Sequence, residues 1–283
     1  AKFVTKKEKP KDEDAQRKHF ATIPNTTEEE LQTYDYYKTE NKDSLKEMME
    51  LLRKFIEKKI ITLKIENKVP NLLYASSSSV YGNSSKASFS EKETSLHPVS
   101  FYGATKLSNE ILADASSKNS DLKTRGLRFF TVYGPWGRPD MVYFRMVHSA
   151  LSGSPFNFSG TGEVRRDFTY IDDVTSSVSA LVFDLSQRDS SFSDVVNIGG
   201  GKPISISECL KIIEEIIGSS VPYNRRDADS RDVELTNADF TYLNEITGNF
   251  PKTSARQGFA NFVSWATRPD IQSRLALWVN SVQ

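Results

Sequence analysis

Tyr102 and Lys106 stand four residues apart in Tyr-Gly-Ala-Thr-Lys. On a helix, positions i and i+4 share a face, so a phenol and an ammonium can act on one ligand. A neighbouring ammonium favours tyrosinate and lowers the phenol's pKa from its ordinary ~10. A tyrosine so prepared can take a proton from a sugar hydroxyl while a hydride leaves the same carbon. The spacing alone is weak evidence, because about one such pair is expected by chance in a chain of this composition. A second pair, Tyr34 and Lys38, lies in a highly charged stretch and reads as the chance one. Upstream of Tyr102, an apolar run ends in Ala-Ser-Ser-Ser-Ser-Val-Tyr-Gly, residues 75–82. Small hydroxyls at the carboxyl end of a strand lie where open α/β sheets bind ligands. One of them could orient or pass the proton near the phenol.

Each feature also has a plainer reading. The Tyr-Lys pair could be a solvated helix face, and the serines a turn. Arg138 could be a surface cation, and Arg165 and Arg166 could pair with Asp172 and Asp173 for little stability. Asp140 and Asp167 read as structural. Trp136, Trp265 and Trp278 read as packing residues, Cys209 as a core thiol. His19, His97 and His148 are too scattered to suggest a metal site.

These side chains need strands and helices to hold them. Residues 71–75 form a short apolar run read as a buried strand. Residues 100–118 read as a helix with Ser100 as its cap and Leu107, Ile111 and Leu112 on one side. Residues 126–133 read as one strand closed by Gly134 and Pro135, and residues 143–151 as a short helix. Residues 194–198 read as a strand ended by Gly199, Gly200 and Gly201, and residues 205–217 as an amphipathic helix. Nearer the start, residues 25–28 look like a helix start and residues 42–59 like an amphipathic helix. Strands alternating with helices imply an α/β fold with a mostly parallel sheet.

Lys+Arg and Asp+Glu are both 37 in 283 residues, so the formal net charge is zero. That argues against nucleic-acid binding and against a polybasic membrane surface. No apolar run approaches the ~20 residues of a membrane helix. The first residues lack the apolar core of a secretory signal. One cysteine excludes an intrachain disulfide framework and a cysteine-based zinc site. The expectation is a soluble, cytoplasmic protein. The charge is uneven: residues 1–70 hold 30 charged side chains, the other 213 hold 44. All 14 glycines lie at or after Gly82.

From about Asn71 onward the chain resembles an extended short-chain dehydrogenase/reductase of the nucleotide-sugar epimerase and dehydratase branch, with its nearest likeness in the UDP-glucuronate 4-epimerase group. The resemblance rests on Tyr-Ala-Ser-Ser-Ser-Ser-Val-Tyr-Gly (74–82) and Ser-Phe-Tyr-Gly-Ala-Thr-Lys (100–106). It extends through Leu-Arg-Phe-Phe-Thr-Val-Tyr-Gly-Pro-Trp-Gly-Arg-Pro-Asp-Met (127–141), the Arg-Arg-Asp-Phe-Thr-Tyr-Ile-Asp-Asp segment (165–173), Asn-Ile-Gly (197–199) and Arg-Asp-Val (231–233). It implies a Rossmann-like, mostly parallel sheet with a smaller C-terminal substrate-binding α/β subdomain. The expected division is an atypical charged segment over 1–70, a Rossmann-like part over 71–140 and a nucleotide-sugar-binding part over 141–283, with a strand near 194–199 returning to the main sheet.

The resemblance also implies roles. Tyr102 would be the catalytic base and acid, Lys106 would bind the nicotinamide ribose of NAD, and Ser77, then Ser79, would be the hydroxyl partner. Ser77, Ser78 and Thr131 would meet the sugar, Thr131 helping to hold a sugar carboxylate. Arg138 and Arg145 could bring cations to the carboxylate or diphosphate. Arg166 would grip the UDP diphosphate, and Asp232 would lie near the uridine ribose. The implied reaction is NAD-dependent oxidation at C4, rotation of the 4-keto sugar and return of the hydride to the other face, in a homodimer. The family opens on a Gly-x-x-Gly-x-x-Gly loop that lets the backbone approach the NAD pyrophosphate. With no glycine before Gly82, a second reading stays open: a non-catalytic, epimerase-like scaffold or binding protein that has lost NAD, or a related nucleotide-sugar dehydratase or epimerase.

Overall fold

The computed structural model describes residues 69–84, 86–188, 191–227 and 233–280. They fall within one of the two units into which the chain divides, Glu57–Gln283. The expected helices near residues 25 and 42–59, the Tyr34–Lys38 pair and Asp232 lie outside the described residues.

Three parallel strands form the main sheet in the order β1-β2-β7: β1 is Asn71–Ser77, β2 Lys123–Phe129 and β7 Phe192–Ile198. The register pairs Ser77 with Phe129 and Phe129 with Ile198, so all three strands end at one edge. Gly126 is required in the middle of β2, because the Tyr74 ring of β1 lies where a Cβ would stand. Helix α1, Phe101–Lys118, joins β1 to β2. Its Ser100 cap accepts the Gly103 N–H at 3.0 Å, as the sequence predicts. Its buried face differs from the expected apolar one. Ile111 is 62 % exposed, whereas Lys106, Asn109 and Glu110 are buried. The reason is pairing across the sheet. Arg128 of β2 donates to both Glu110 oxygens at 2.8–2.9 Å, and Ser76 of β1 donates to the same carboxylate.

The strand expected over 126–133 is two strands. Phe130 breaks it, its N–H going to Ile198 O at 3.1 Å. Beyond the break, β3 (Thr131–Tyr133) leaves the main sheet and pairs in parallel with β6 (Phe168–Tyr170). Helix α2 (Val142–Ser152) follows β3, then β4 (Phe156–Ser159) and β5 (Arg165–Arg166). Helix α3 (Ile171–Ser186) follows β6 and leads to β7. After β7 come β8 (Ile204–Ser205), helix α4 (Ile206–Ile217) and β9 (Tyr223–Arg226), which pairs in parallel with β4. Helix α4 opens on a capping box between Ser205 and Glu208. Helices α5 (Thr241–Thr247), α6 (Ala255–Ala266) and α7 (Pro269–Asn280) close the order.

Separate cores result. One gathers Leu127, Val174, Leu181, Val196, Ile198 and Leu243 behind the main sheet. The largest joins Tyr133, Tyr143, Phe144, Phe168, Phe259 and Phe262 around α2, α4 and α6, and includes the buried thiol of Cys209.

Candidate functional site

Parallel strands end at one edge, and the chain leaves each of them there. That edge collects the serine turn after β1, the Phe130 break after β2 and the three glycines after β7. Ser77 accepts the Ser79 N–H at 3.2 Å and opens a single 3-10 turn over Ser78–Tyr81. The first turn of α1 packs on this serine turn, where a Cβ at Gly103 would collide with Ser79 O. Lys106 is buried, with Nζ donating 2.7 Å to Ala75 O at the end of β1. Its ammonium lies 5.9 Å from the centre of the Tyr102 ring. Tyr102 itself is 37 % exposed at the rim. Phenol and ammonium therefore share one helix face, with the ammonium beneath and the phenol at the surface.

A cleft of about 440 Å³ opens beside the serine turn. Ser77, Ser78, Ser79, Thr131, Trp136 and Arg138 are among its walls. Arg138 pairs with Asp140, its Nε donating at 3.0 Å. This pairing, with a smaller contribution from Tyr102, holds the guanidinium more firmly charged than an ordinary arginine. The cleft's floor continues into a loop with an unusual backbone. Trp136 has φ +63°, the one positive value on a non-glycine residue among those described. For a bulky side chain that conformation costs about 1–3 kcal/mol. Trp136 is also exposed, unlike the buried Trp265 expected to share its packing role, and the two rings meet edge-on.

A second cleft, about 240 Å³, adjoins the first and shares Thr131 and Met141 with it. Arg145 of α2 and Arg166 of β5 line it, with Asn157 and Phe158 of β4. The guanidinium of Arg145 sits 5.7 Å from the Phe156 ring. Its buried Nε has no hydrogen-bond partner among the described residues. Burial, and then the charge of Arg226 on β9, push the Arg145 pKa down. Arg166 donates to the backbone carbonyls of Arg165 and Val233. The plainer reading, in which this arginine doublet pairs with Asp172 and Asp173, gives way to other partners. Arg165 meets Glu208 at 3.4 Å, and Asp173 accepts the N–H groups of Lys252 and Thr253 at 3.2 and 2.9 Å.

The structure thus brings Ser77, Ser78, Ser79, Thr131 and Arg138 to one cleft, and Thr131, Arg145 and Arg166 to the next. Tyr102 and Lys106 line neither; they stand beside the serine turn on α1. Sequence reasoning missed Arg226 and the Glu110–Arg128 pair. Glu110 follows Lys106 by four residues on the same helix, and that spacing could have flagged it. The three glycines after β7 are not an open anion cradle. The Asp167 carboxylate fills them, accepting the N–H groups of Gly200, Gly201 and Ala238 at 2.8–2.9 Å.

Three comparisons bear on this arrangement. The model of the NAD dependent epimerase/dehydratase family matches residues 18–199. A probable UDP-glucuronate 4-epimerase of Rhizobium meliloti is 36% identical over 210 residues, 69% of this chain and 61% of that protein. An uncharacterised 37.6 kDa protein of Escherichia coli O111:H- is 39% identical over 212 residues, 70% of this chain and 64% of that one. The UDP-glucuronic acid 4-epimerase of Bacillus cereus, solved with UDP-glucuronic acid and NAD, aligns with a TM-score of 0.69 at 31% identity. That alignment covers 75% of this chain and 66% of the other. The chain spans 61–64% of the length of the two curated relatives.

Proposed function

The chain belongs to the NAD dependent epimerase/dehydratase family, and on that premise we propose that it epimerises a UDP-sugar at C4, converting UDP-glucuronate to UDP-galacturonate through a transient 4-keto sugar. The observation that carries the reading is Arg145. A guanidinium with a buried N–H that meets no acceptor, close to a second cation, is arranged for an anion from outside the chain. Arg145 and Arg166 suit the diphosphate in the second cleft. Thr131, Ser77, Ser78 and Arg138 suit a carboxylated sugar in the first, because hydroxyls and a guanidinium fork match a carboxylate. Asp232 is assigned to the uridine ribose by resemblance.

In this reading Tyr102 takes the proton from the sugar 4-hydroxyl and returns it, with Ser77 or Ser79 orienting that hydroxyl. Lys106, fixed by Ala75 O beneath the Tyr102 ring, would hold the nicotinamide ribose. NAD, when bound, would supply the hydride acceptor for the oxidation at C4. The residues present fit its nicotinamide end; the triple glycine does not fit its pyrophosphate, because Asp167 occupies those N–H groups. The family likeness also suggests a homodimer built on α1, and the exposed Ile111 and Leu112 of that helix are suited to it. A second reading is a UDP-sugar-binding protein without the redox step. It asks only for the two clefts and their polar walls, which the described residues form.

The test is to give the purified full chain UDP-glucuronic acid and separate the two uronic acid nucleotides by chromatography. Conversion is expected, with Tyr102→Phe lowering kcat by at least about 10²-fold. Binding of UDP-sugar without conversion selects the second reading. Calorimetry that detects no binding of either UDP-uronic acid or of UDP would overturn both.

A further inference from the structure

Trp136 combines two features that core packing does not call for. Its backbone is left-handed, a state that L side chains disfavour because Cβ crowds the neighbouring carbonyl. Its side chain is also 67 % exposed on the wall of the first cleft, opposite in character to Trp265 at 7 %. The loop is built to hold it there. At Gly134, with φ +138°, a Cβ would collide with the Ile171 side chain, and at Gly137 one would collide with the buried Tyr143 hydroxyl. The indole is propped edge-on against Trp265, their ring centres 5.4 Å apart. A strained residue held in place by its neighbours clusters with binding sites.

The rest of the cleft says what such a wall would meet. Ser77, Ser78, Ser79, Thr131 and Arg138 offer directional polar groups. A pyranose ring carries hydroxyls around its edge and C–H groups on its faces. The polar groups can serve the edge, and an indole can serve a face, because its electron-rich surface attracts C–H. We propose that Trp136 is a sugar-contacting residue, its indole forming an apolar wall against the pyranose ring of the nucleotide sugar in the first cleft; this rests on the function proposed above. A wall without directional bonds receives either face of the ring, which suits a sugar that must present C4 from both sides. Trp136 lines the first cleft and not the second, so in this proposal it serves the sugar and not the nucleotide or diphosphate.

The test compares UDP-glucuronic acid with UDP by calorimetry on the full chain, wild type, Trp136→Gly and Trp136→Phe. Glycine accepts the positive φ without strain, so Trp136→Gly is expected to keep or raise the melting temperature. It should weaken UDP-glucuronic acid about tenfold and change UDP less than twofold. Trp136→Phe, which restores a ring, should recover most of the loss. Wild-type tryptophan fluorescence should change on adding UDP-glucuronic acid, and the change should be absent in Trp136→Phe. Equal affinity of wild type and Trp136→Gly for UDP-glucuronic acid overturns this proposal alone. A parallel loss for UDP and the sugar nucleotide, or a lowered melting temperature, makes Trp136 a packing residue. A wild type that binds UDP but no UDP-sugar, or binds neither, overturns this proposal together with the function it rests on.

Discussion

A carboxylate taken out of water needs hydrogen bonds in proportion to its charge, and Asp167 shows how one residue can organise a site edge. It is fully buried, and burial pushes its carboxyl above the usual aspartate range while the backbone N–H groups pull the other way. Gly200 bonds one oxygen, and Gly201 and Ala238 bond the other. The same residue's backbone oxygen accepts the Thr131 N–H at 3.0 Å. Asp167 thereby ties the glycine turn after β7 to the start of β3, where the two clefts meet. In Asp167→Asn, an amide NH₂ must replace one oxygen and face at least one N–H donor. A loss of about 1–3 kcal/mol is expected, read as a lower urea midpoint at unchanged m-value. The sequence reading of Asp167 as structural agrees with these bonds. The residues it serves were not readable, because the contact spans 33 residues and leaves no local pattern.

At the scale of elements, Arg125 holds the opposite end of the main sheet. It is fully buried in β2 and donates to Asp194 of β7 at 2.7 and 2.8 Å and to Asp184 of α3 at 2.8 Å. Burial pushes the Asp184 carboxyl up, but hydrogen bonds from Arg125 and Arg188 outweigh it and hold the carboxyl below the ordinary aspartate value. A group whose folded pKa is depressed adds stability that is complete above its unfolded value, ~3.9. That stability is lost as pH falls through the lower folded value. Arg125→Met is expected to cost about 2–4 kcal/mol near neutral pH, since it leaves partly buried carboxylates without their cation. It should also flatten the acid limb of a melting-temperature profile below about pH 4. An unchanged acid limb would show that Asp184 does not report this clamp. The elements themselves were largely readable: the cap at Ser100 and the apolar period of α4 are each written within a few residues of sequence. Two features were not. The inward face of α1 is polar because Lys106 and Glu110 find partners on β1 and β2, and periodicity counts apolar residues, not distant partners. The break at Phe130 depends on β6, whose pairing with β3 crosses 37 residues from Thr131 to Phe168.

For the molecule as a whole, the neutral total charge hides a division of labour that the described residues make concrete: cations gather at the second cleft, and apolar side chains remain outward on α1. Among the described residues no helix is long and apolar enough to cross a membrane, so these outward apolar groups need another explanation. Ile111 and Leu112 lie one to two turns beyond Lys106, with Phe101 exposed at the start of the same helix. Burying such a stripe against a second copy removes apolar area from water at about 25 cal/mol per Å². The proposed homodimer would cover it and would stiffen the helix that carries Tyr102 and Lys106. Light scattering on the full chain should give twice the mass of 31.9 kDa. Ile111→Lys should shift it toward one copy with its circular dichroism unchanged, because residue 111 contributes little to the buried core. If the assembly is what steadies α1, the monomeric variant should lose turnover more than affinity for UDP, since the second cleft is built from α2, β4 and β5 and not from α1. A wild type that runs as a single copy, or an Ile111→Lys variant that keeps the dimer mass, would assign the stripe to something other than self-association.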